Sequence, residues 1–357
     1  MKTGKTLQEL VTEIERQAKS KSDYLAQAEK LYVDHNDGRL GISQTVAPMA
    51  LKQHAHRQLG EYVGIPAVYY DRLLSNPELF AANVNHWLAG KSGERRMVRA
   101  LDGNVRALLS ESYKRVDNIH VANVALEGLS KVPGIKVVST EVTESRLYIK
   151  AVSTDVVAKV NGSPRVGDLV EAGVLITNSE VGLGAINVKR FMNFLACLNG
   201  LVLDKGGYRA AHIGRRHDPE LDGILSEETL RLEGATVLSK VADVLHAYFD
   251  PEKHRAFVQE ISNTTQEKIV GDVPAAVRVL GDELNLLQGE RNSVLDHLIR
   301  GGDLSRFGLV QAVTRTAEDV ESYDRATELE EAGGRILTLP KSAWKRVSEA
   351  EPLLKAA

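Results

Sequence analysis

Two kinds of side chain in this sequence could do chemistry, and they point in different directions. Arg96, Arg99, Arg106, Lys114, Arg115, Lys189, Arg190, Arg209, Arg215 and Arg216 fall within one stretch, with Tyr113 and Tyr208 interspersed. Cations that follow a phosphate backbone, next to aromatic rings on which bases stack, are what single-stranded nucleic-acid binding requires. The nucleophilic and ligating residues are sparser. Cys197 is the one cysteine and sits among apolar neighbours, which suits a buried thiol better than an activated thiolate. His54 and His56 are two apart on a helical pattern and so face different ways, which defeats chelation. His212 and His217, with Asp218, are five apart and face oppositely on a strand unless Gly214 bulges. Gly182 and Gly184 lack the third glycine and the strand-helix-strand setting of a dinucleotide turn. No metal and no cofactor is implied.

These residues need elements to carry them. From Asp168 to Asp204, an apolar run (Val174, Leu175, Ile176), the polar Asn178-Ser179-Glu180 and then Gly182 and Gly184 predict a hairpin with a glycine-relieved corner. Phe191, Met192, Phe194, Leu195 and Leu198 fall at helical spacing, which predicts a helix closed by Asn199-Gly200. Arg95 to Ser110 predicts a hairpin around Asp102-Gly103-Asn104, and Asp117 or Asn118 caps a helix through Leu129. Lys136 to Val152 is a further hairpin, and a strand follows near Leu169 to Ile176.

Before this core, Thr6 to Tyr32 predicts a helix pair, and Leu40 to Ile42 a short strand. Pro48 to Leu74 has the outline of a helix-turn-helix with Gly64 in the turn and Pro66 opening the second helix. That second helix offers Tyr69, Tyr70, Asp71 and Arg72, a set better suited to packing than to reading DNA. After His217 the pattern is amphipathic and helical, with Gly333-Gly334 ending the last long helix. The expected fold class is α+β, an antiparallel hairpin-rich sheet with packed helices and a mainly helical C-terminal layer. Its expected parts are a helical region over 1–90, the core over 91–217, the helical region over 218–340 and a tail over 341–357.

Composition narrows the setting. The chain has 357 residues, 43% of them hydrophobic, and a net charge of -3. No apolar run is long enough to span a bilayer, and the charged first residues do not resemble a secretory signal, so a cytoplasmic protein is expected. The small net charge hides an asymmetry: Lys91 to His217 holds 19 Lys and Arg against 12 Asp and Glu. A basic middle between acidic ends is either a polyanion surface or the face against which acidic helices dock.

Three segments together resemble a known family. Val105 to Asn118 (VRALLSESYKRVDN), Asn178 to Val202 (NSEVGLGAINVKRFMNFLACLNGLV) and Leu309 to Gly334 are similar to the phage and plasmid-like family catalogued as domain of unknown function 932. Ser110, Tyr113, Arg115 and Asp117 match its first motif. Asn178, Ser179 and Gly182 match the second, Cys197, Asn199 and Gly200 the third, and Thr314 the last. Glu111, Ser112 and Lys114 depart from the more basic setting of that first motif. The resemblance implies a protein of a mobile element and no particular reaction. The expectation is therefore a non-enzymatic protein that binds single-stranded DNA or RNA. A host protein is the alternative partner, further copies of the chain are another, and an enzyme with an unrecognised site is the third reading.

Overall fold

Asp102 and Gly103 both adopt positive φ, +52° and +72°, and this primed turn joins β5 (Arg95–Leu101) to β6 (Asn104–Ser110) as the sequence predicts. The computed structural model describes residues 1–113, 115–162, 168–210 and 227–352. Around that hairpin grows a six-stranded sheet in the order β1 (Lys21–Gln27), β5, β6, β4 (Val46–Leu51), β3 (Leu40–Ile42), β2 (Leu31–Val33). Its pairs are antiparallel except for β4 with β6.

The second sheet is an antiparallel meander of β7 (Ile135–Val142), β8 (Leu147–Lys159), β9 (Leu169–Asn178), β10 (Ile186–Phe194) and β11 (Asn199–Ala210). Helices cover both of its faces. Ile149, Val174, Ile176 and Val188 pack with Leu10 of α1 (Leu7–Ser20), Val121 and Ala125 of α5 (Asn118–Ser130) and Leu245 of α6 (Glu227–Tyr248). On the other face, Tyr148, Leu175, Phe191 and Val202 meet Tyr323 of α11 (Tyr323–Leu337). The remaining C-terminal helices are α7 (Pro251–Asn263), α8 (Val273–Leu284), α9 (Gln288–Gly301), α10 (Arg306–Thr316) and α12 (Lys341–Ser348). They share a core with Met192, Phe194, Leu201 and Leu203. The fold is α+β with a helical C-terminal part, and no helix among the described residues is long and apolar enough to cross a membrane.

Several elements differ from the sequence reading. Phe191 to Leu198 is strand and turn, not helix: Phe191 enters one core while Met192 and Phe194 enter another. A strand buried on both faces carries consecutive apolar residues, so its pattern imitates a helix. Gly200 closes no helix either. Phe191 occupies the space of its missing side chain, since a Cβ there would lie 2.3 Å from the ring. Thr6 to Tyr32 is one helix followed by β1 and β2, so the sheet bridges the boundary expected near residue 90. The tail expected from 341 opens with α12, whose Val347 is fully buried. Gly333 and Gly334 lie inside α11. Cβ atoms there would meet Thr314 Cγ2 at 2.3 Å and the Val202 carbonyl at 2.0 Å, so the pair lets the helix touch β11.

α2 (Gln53–Val63) ends at Gly64, φ +72°, and Pro66 starts α3 (Ala67–Leu73). Tyr70 of α3 is buried edge-on against Phe80 of α4 (Pro77–Ala89), and Asp71 pairs with Arg57 at 2.7 Å. This is a helical hairpin packed by its own second helix.

Candidate functional site

The corner after β9 is the place where the two sheets meet. Asn178 Nδ2 donates to the Val116 carbonyl at 3.0 Å and to Asn118 Oδ1 at 2.8 Å. Ser179 Oγ donates to the Ser145 carbonyl at 2.9 Å and accepts from the Leu183 amide at 3.1 Å. His54 Nε2 donates to the Val181 carbonyl at 2.9 Å, as does Gln58 Nε2. The polar groups of this corner are thus used to fasten it to the β7–β8 turn, α2 and the approach to α5.

Two arginines of the β5–β6 hairpin reach this corner. Arg99 points toward it because Met97, Arg99 and Ala107 share a face of the sheet. A bulge between Arg99 and Ala100 leaves Arg106 without a partner in the β5–β6 register and turns it to the same side. Arg99 is 0% exposed. Its guanidinium donates to Asp23 Oδ1 and Oδ2 at 2.9 and 3.1 Å, to Asp117 Oδ1 at 2.6 Å and to the Glu180 carbonyl at 2.9 Å. Arg106 Nη2 pairs with Glu180 Oε2 at 2.7 Å, and Glu180 Oε1 accepts the Asn118 amide at 2.6 Å. Lys21 also pairs with Asp117. Burial pushes the Asp117 carboxyl up, but Arg99 and Lys21 outweigh it and leave it lowered to about 2.

Above this network lies a cleft of about 310 Å³. Lys52, Arg106 and Arg146 supply cations to its wall, Glu13, Glu144 and Glu180 carboxylates, and Gln17, Asn104 and Asn118 carboxamides. Lys52 pairs with Glu144 at 3.1 Å at the exposed rim, and Arg146 Nη2 donates to the Leu183 carbonyl at 2.6 Å. An opening of this size with convergent donors and acceptors can hold a small polar ligand.

The other cations of the basic stretch do not gather here. Arg96 is half-buried over the Tyr62 ring, 3.8 Å from its centroid, with Glu94 at 3.6 Å. Lys189 reaches Glu331 of α11 at 2.8 Å. Arg190 is buried against Tyr248 and Phe257, and burial draws its guanidinium below the usual arginine range. Tyr113 is buried and donates to the Ser179 carbonyl at 2.8 Å, and Tyr208 is half-buried beside the core under α6. Arg115 and Arg209 are exposed. Lys114, Arg215 and Arg216, with His212, His217 and Asp218, lie outside the described residues. The described cations therefore form no continuous stripe along one sheet face. Arg99, Arg106 and Lys189 are consumed in internal pairs, because carboxylates from distant parts of the chain meet them.

Lys52, Glu13, Glu144 and Arg146 are the cleft residues that sequence reasoning passed over. Only the hairpin expected over Lys136 to Val152 marked their neighbourhood, and nothing local brings α1, the end of β4 and the β7–β8 turn together. His54 and His56 have separate partners, the Val181 carbonyl and the Tyr70 hydroxyl. Cys197 is buried in the β10–β11 turn.

The chain matches no family model, no curated protein and no solved structure.

Proposed function

We propose that the chain binds single-stranded nucleic acid and seats one nucleotide in the cleft between the two sheets. The observation that carries this reading is the make-up of the cleft wall, where Lys52, Arg106 and Arg146 stand around one 310 Å³ opening with carboxamides and carboxylates between them. A nucleotide offers the complement: a phosphate for the cations, ribose hydroxyls and base N–H groups for the carboxylates, and base acceptors for the amides. Arg99 and Arg106 serve this reading by holding the corner rigid, and the phosphate contacts fall to Lys52 and Arg146. Binding without bond-breaking is the role assigned.

The test is fluorescence anisotropy with labelled single-stranded and duplex oligonucleotides at two salt concentrations, on the wild type and on Lys52→Ala/Arg146→Ala. Single-strand affinity should fall as salt rises, because neutralised phosphates release counterions. It should fall by about tenfold or more in the double variant while the melting temperature holds. No binding at low salt overturns the reading.

A second reading, a protein-docking surface, is favoured by Val68, Tyr69, Leu79 and Trp87, which stand 78%, 44%, 47% and 51% exposed on α3 and α4. Sedimentation of Val68→Asp/Trp87→Asp against the wild type tests it for self-association. An unchanged distribution removes the second-copy form of this reading.

A further inference from the structure

The outer strands of the two sheets end differently. On β2, the Asn85 side chain of α4 accepts from the Val33 amide at 2.7 Å and donates to the Val33 carbonyl at 2.9 Å. On β7, Lys5 pairs with Thr140 in an antiparallel bridge with bonds of 2.6 and 3.3 Å. β1, the other outer strand of the six-stranded sheet, has no such cover. Among the described residues, Lys21–Gln27 pairs with β5 alone.

The two ends of β1 show which of its backbone groups point outward. The Lys21 amide donates to the Gln17 carbonyl of α1, so it is not given to β5. The Ala28 amide donates to the Glu94 carbonyl at 2.8 Å, in step with the β1–β5 register. Hydrogen-bonded and non-hydrogen-bonded residues alternate along an antiparallel pair. Ser22, Tyr24 and Ala26 therefore bond to β5. Asp23 and Leu25 turn amide and carbonyl outward, with the Lys21 carbonyl and the Gln27 amide on the same edge.

Open edges are normally guarded by charge, proline or a bulge. β1 has no proline and pairs with β5 without a bulge. Its two charges are committed inside the chain, Lys21 to Asp117 and Asp23 to Arg99, and Leu25 stands 53% exposed.

The edge is also complementary to itself. Outward groups bond only when odd-numbered residues meet odd-numbered residues, so two antiparallel copies centre on Asp23, Tyr24 or Leu25. Centring on Asp23 sets two carboxylates directly opposite each other, and centring on Leu25 runs Lys21 and Ser22 past the end of the facing strand. Centring on Tyr24 uses the whole of Lys21–Gln27, with Asp23 opposite Leu25, Lys21 opposite Gln27 and no like charges opposed. We infer that two copies of the chain join along β1, antiparallel about a twofold axis at Tyr24, into one continuous sheet. Asp23 and Leu25 of facing strands exchange both backbone bonds, and each Gln27 amide reaches the opposite Lys21 carbonyl. β1 lends no residue to the cleft wall, so this pairing is independent of the nucleotide reading.

The test is sedimentation of the full chain together with cysteine cross-linking. The wild type should sediment as a dimer that dissociates on dilution, and its buried Cys197 gives the cross-linking background. Tyr24→Cys should form a disulfide-linked dimer on mild oxidation, because the two Tyr24 form a non-hydrogen-bonded pair with Cα atoms about 4.5 Å apart. Ser22→Cys should not, because each Ser22 faces Ala26 and the two Ser22 lie about 14 Å apart along the strands. Leu25→Pro removes an outward amide and spares the β1–β5 ladder, so it should stay folded and lose the dimer. Tyr24→Cys and Leu25→Pro each decide alone if the other does not fold. A monomeric wild type overturns the inference, as does equal cross-linking of Ser22→Cys or a folded Leu25→Pro that still dimerises. A dimer dissolved by Val68→Asp/Trp87→Asp belongs to α3 and α4 and overturns it as well.

Discussion

Arg99 of β5 donates to Asp117 Oδ1 at 2.6 Å, and this single contact changes how α5 begins. Asp117 is the N-cap residue of α5 yet makes no side-chain cap bond, because its carboxylate is turned back to Arg99 and Lys21. The first amide of the helix is taken instead by Glu180 of the corner after β9. Helix start, hairpin and β9 corner are thereby coupled through one charge network.

Arg99→Lys should only partly rescue Arg99→Met. The guanidinium spans Asp23, Asp117 and the Glu180 carbonyl at once, whereas an ammonium is a point donor on a flexible stem. Arg99→Met should lose about 3–5 kcal/mol, the cost of part-buried carboxylates left without this cation, and Arg99→Lys, which keeps the charge but not the fork, about 1.5–3 kcal/mol for the hydrogen bonds it cannot remake. Urea unfolding at pH 7 measures it; a loss under about 1 kcal/mol for the lysine variant would refute the spanning role.

Acid should destabilise the protein through Asp117. Its folded pKa of about 2 lies below the 3.8 of an unperturbed aspartate. The contribution, about 2 kcal/mol, is therefore fully present above about pH 4 and is lost as pH falls toward 2. Unfolding curves of the wild type and Asp117→Asn across that range should converge with acid. Parallel curves would assign the acid sensitivity to other groups.

Lys150 and Glu330 are both 0% exposed and pair at 2.5 Å, joining β8 to α11. Glu330→Gln should cost about 3–5 kcal/mol by leaving a buried ammonium unpaired. The double change Lys150→Met/Glu330→Leu should recover most of that loss, since apolar side chains of similar volume carry no desolvation cost. Melting temperatures of the three proteins decide it, and a double variant no more stable than Glu330→Gln would count against the argument.

Gly334→Ala should destabilise, although helix propensity alone favours alanine by about 1 kcal/mol. The new methyl would sit 2.0 Å from the Val202 carbonyl, and forcing α11 off β11 should cost about 1–3 kcal/mol. Gly301→Ala, at the end of α9 with nothing within 4 Å, is the matched control and should be neutral or slightly stabilising. Equal effects at the two sites would contradict this account.

The sequence by itself determined the local grammar. Asp102-Gly103 required a primed turn, Gly64-Ile65-Pro66 a break between helices, Asn178 to Gly184 a corner, and the amphipathic stretches after His217 a helical region. It did not determine Phe191 to Leu198, because a strand covered on both faces loses the alternation that distinguishes strand from helix. Nor could it separate a glycine that ends a helix from Gly334, whose missing side chain is needed by a strand far away in the chain. Of the cleft, the sequence marked His54, Asp102, Asn104, Arg106, Asn118 and Glu180 and left Lys52, Glu13 and Arg146 unremarked. The tertiary structure alone decided that Arg99 and Arg106 are buried ion-pair partners and not surface cations. Charge is a property of the residue, but whether it faces solvent or a carboxylate depends on Asp23, Asp117 and Glu180, which only folding brings to it.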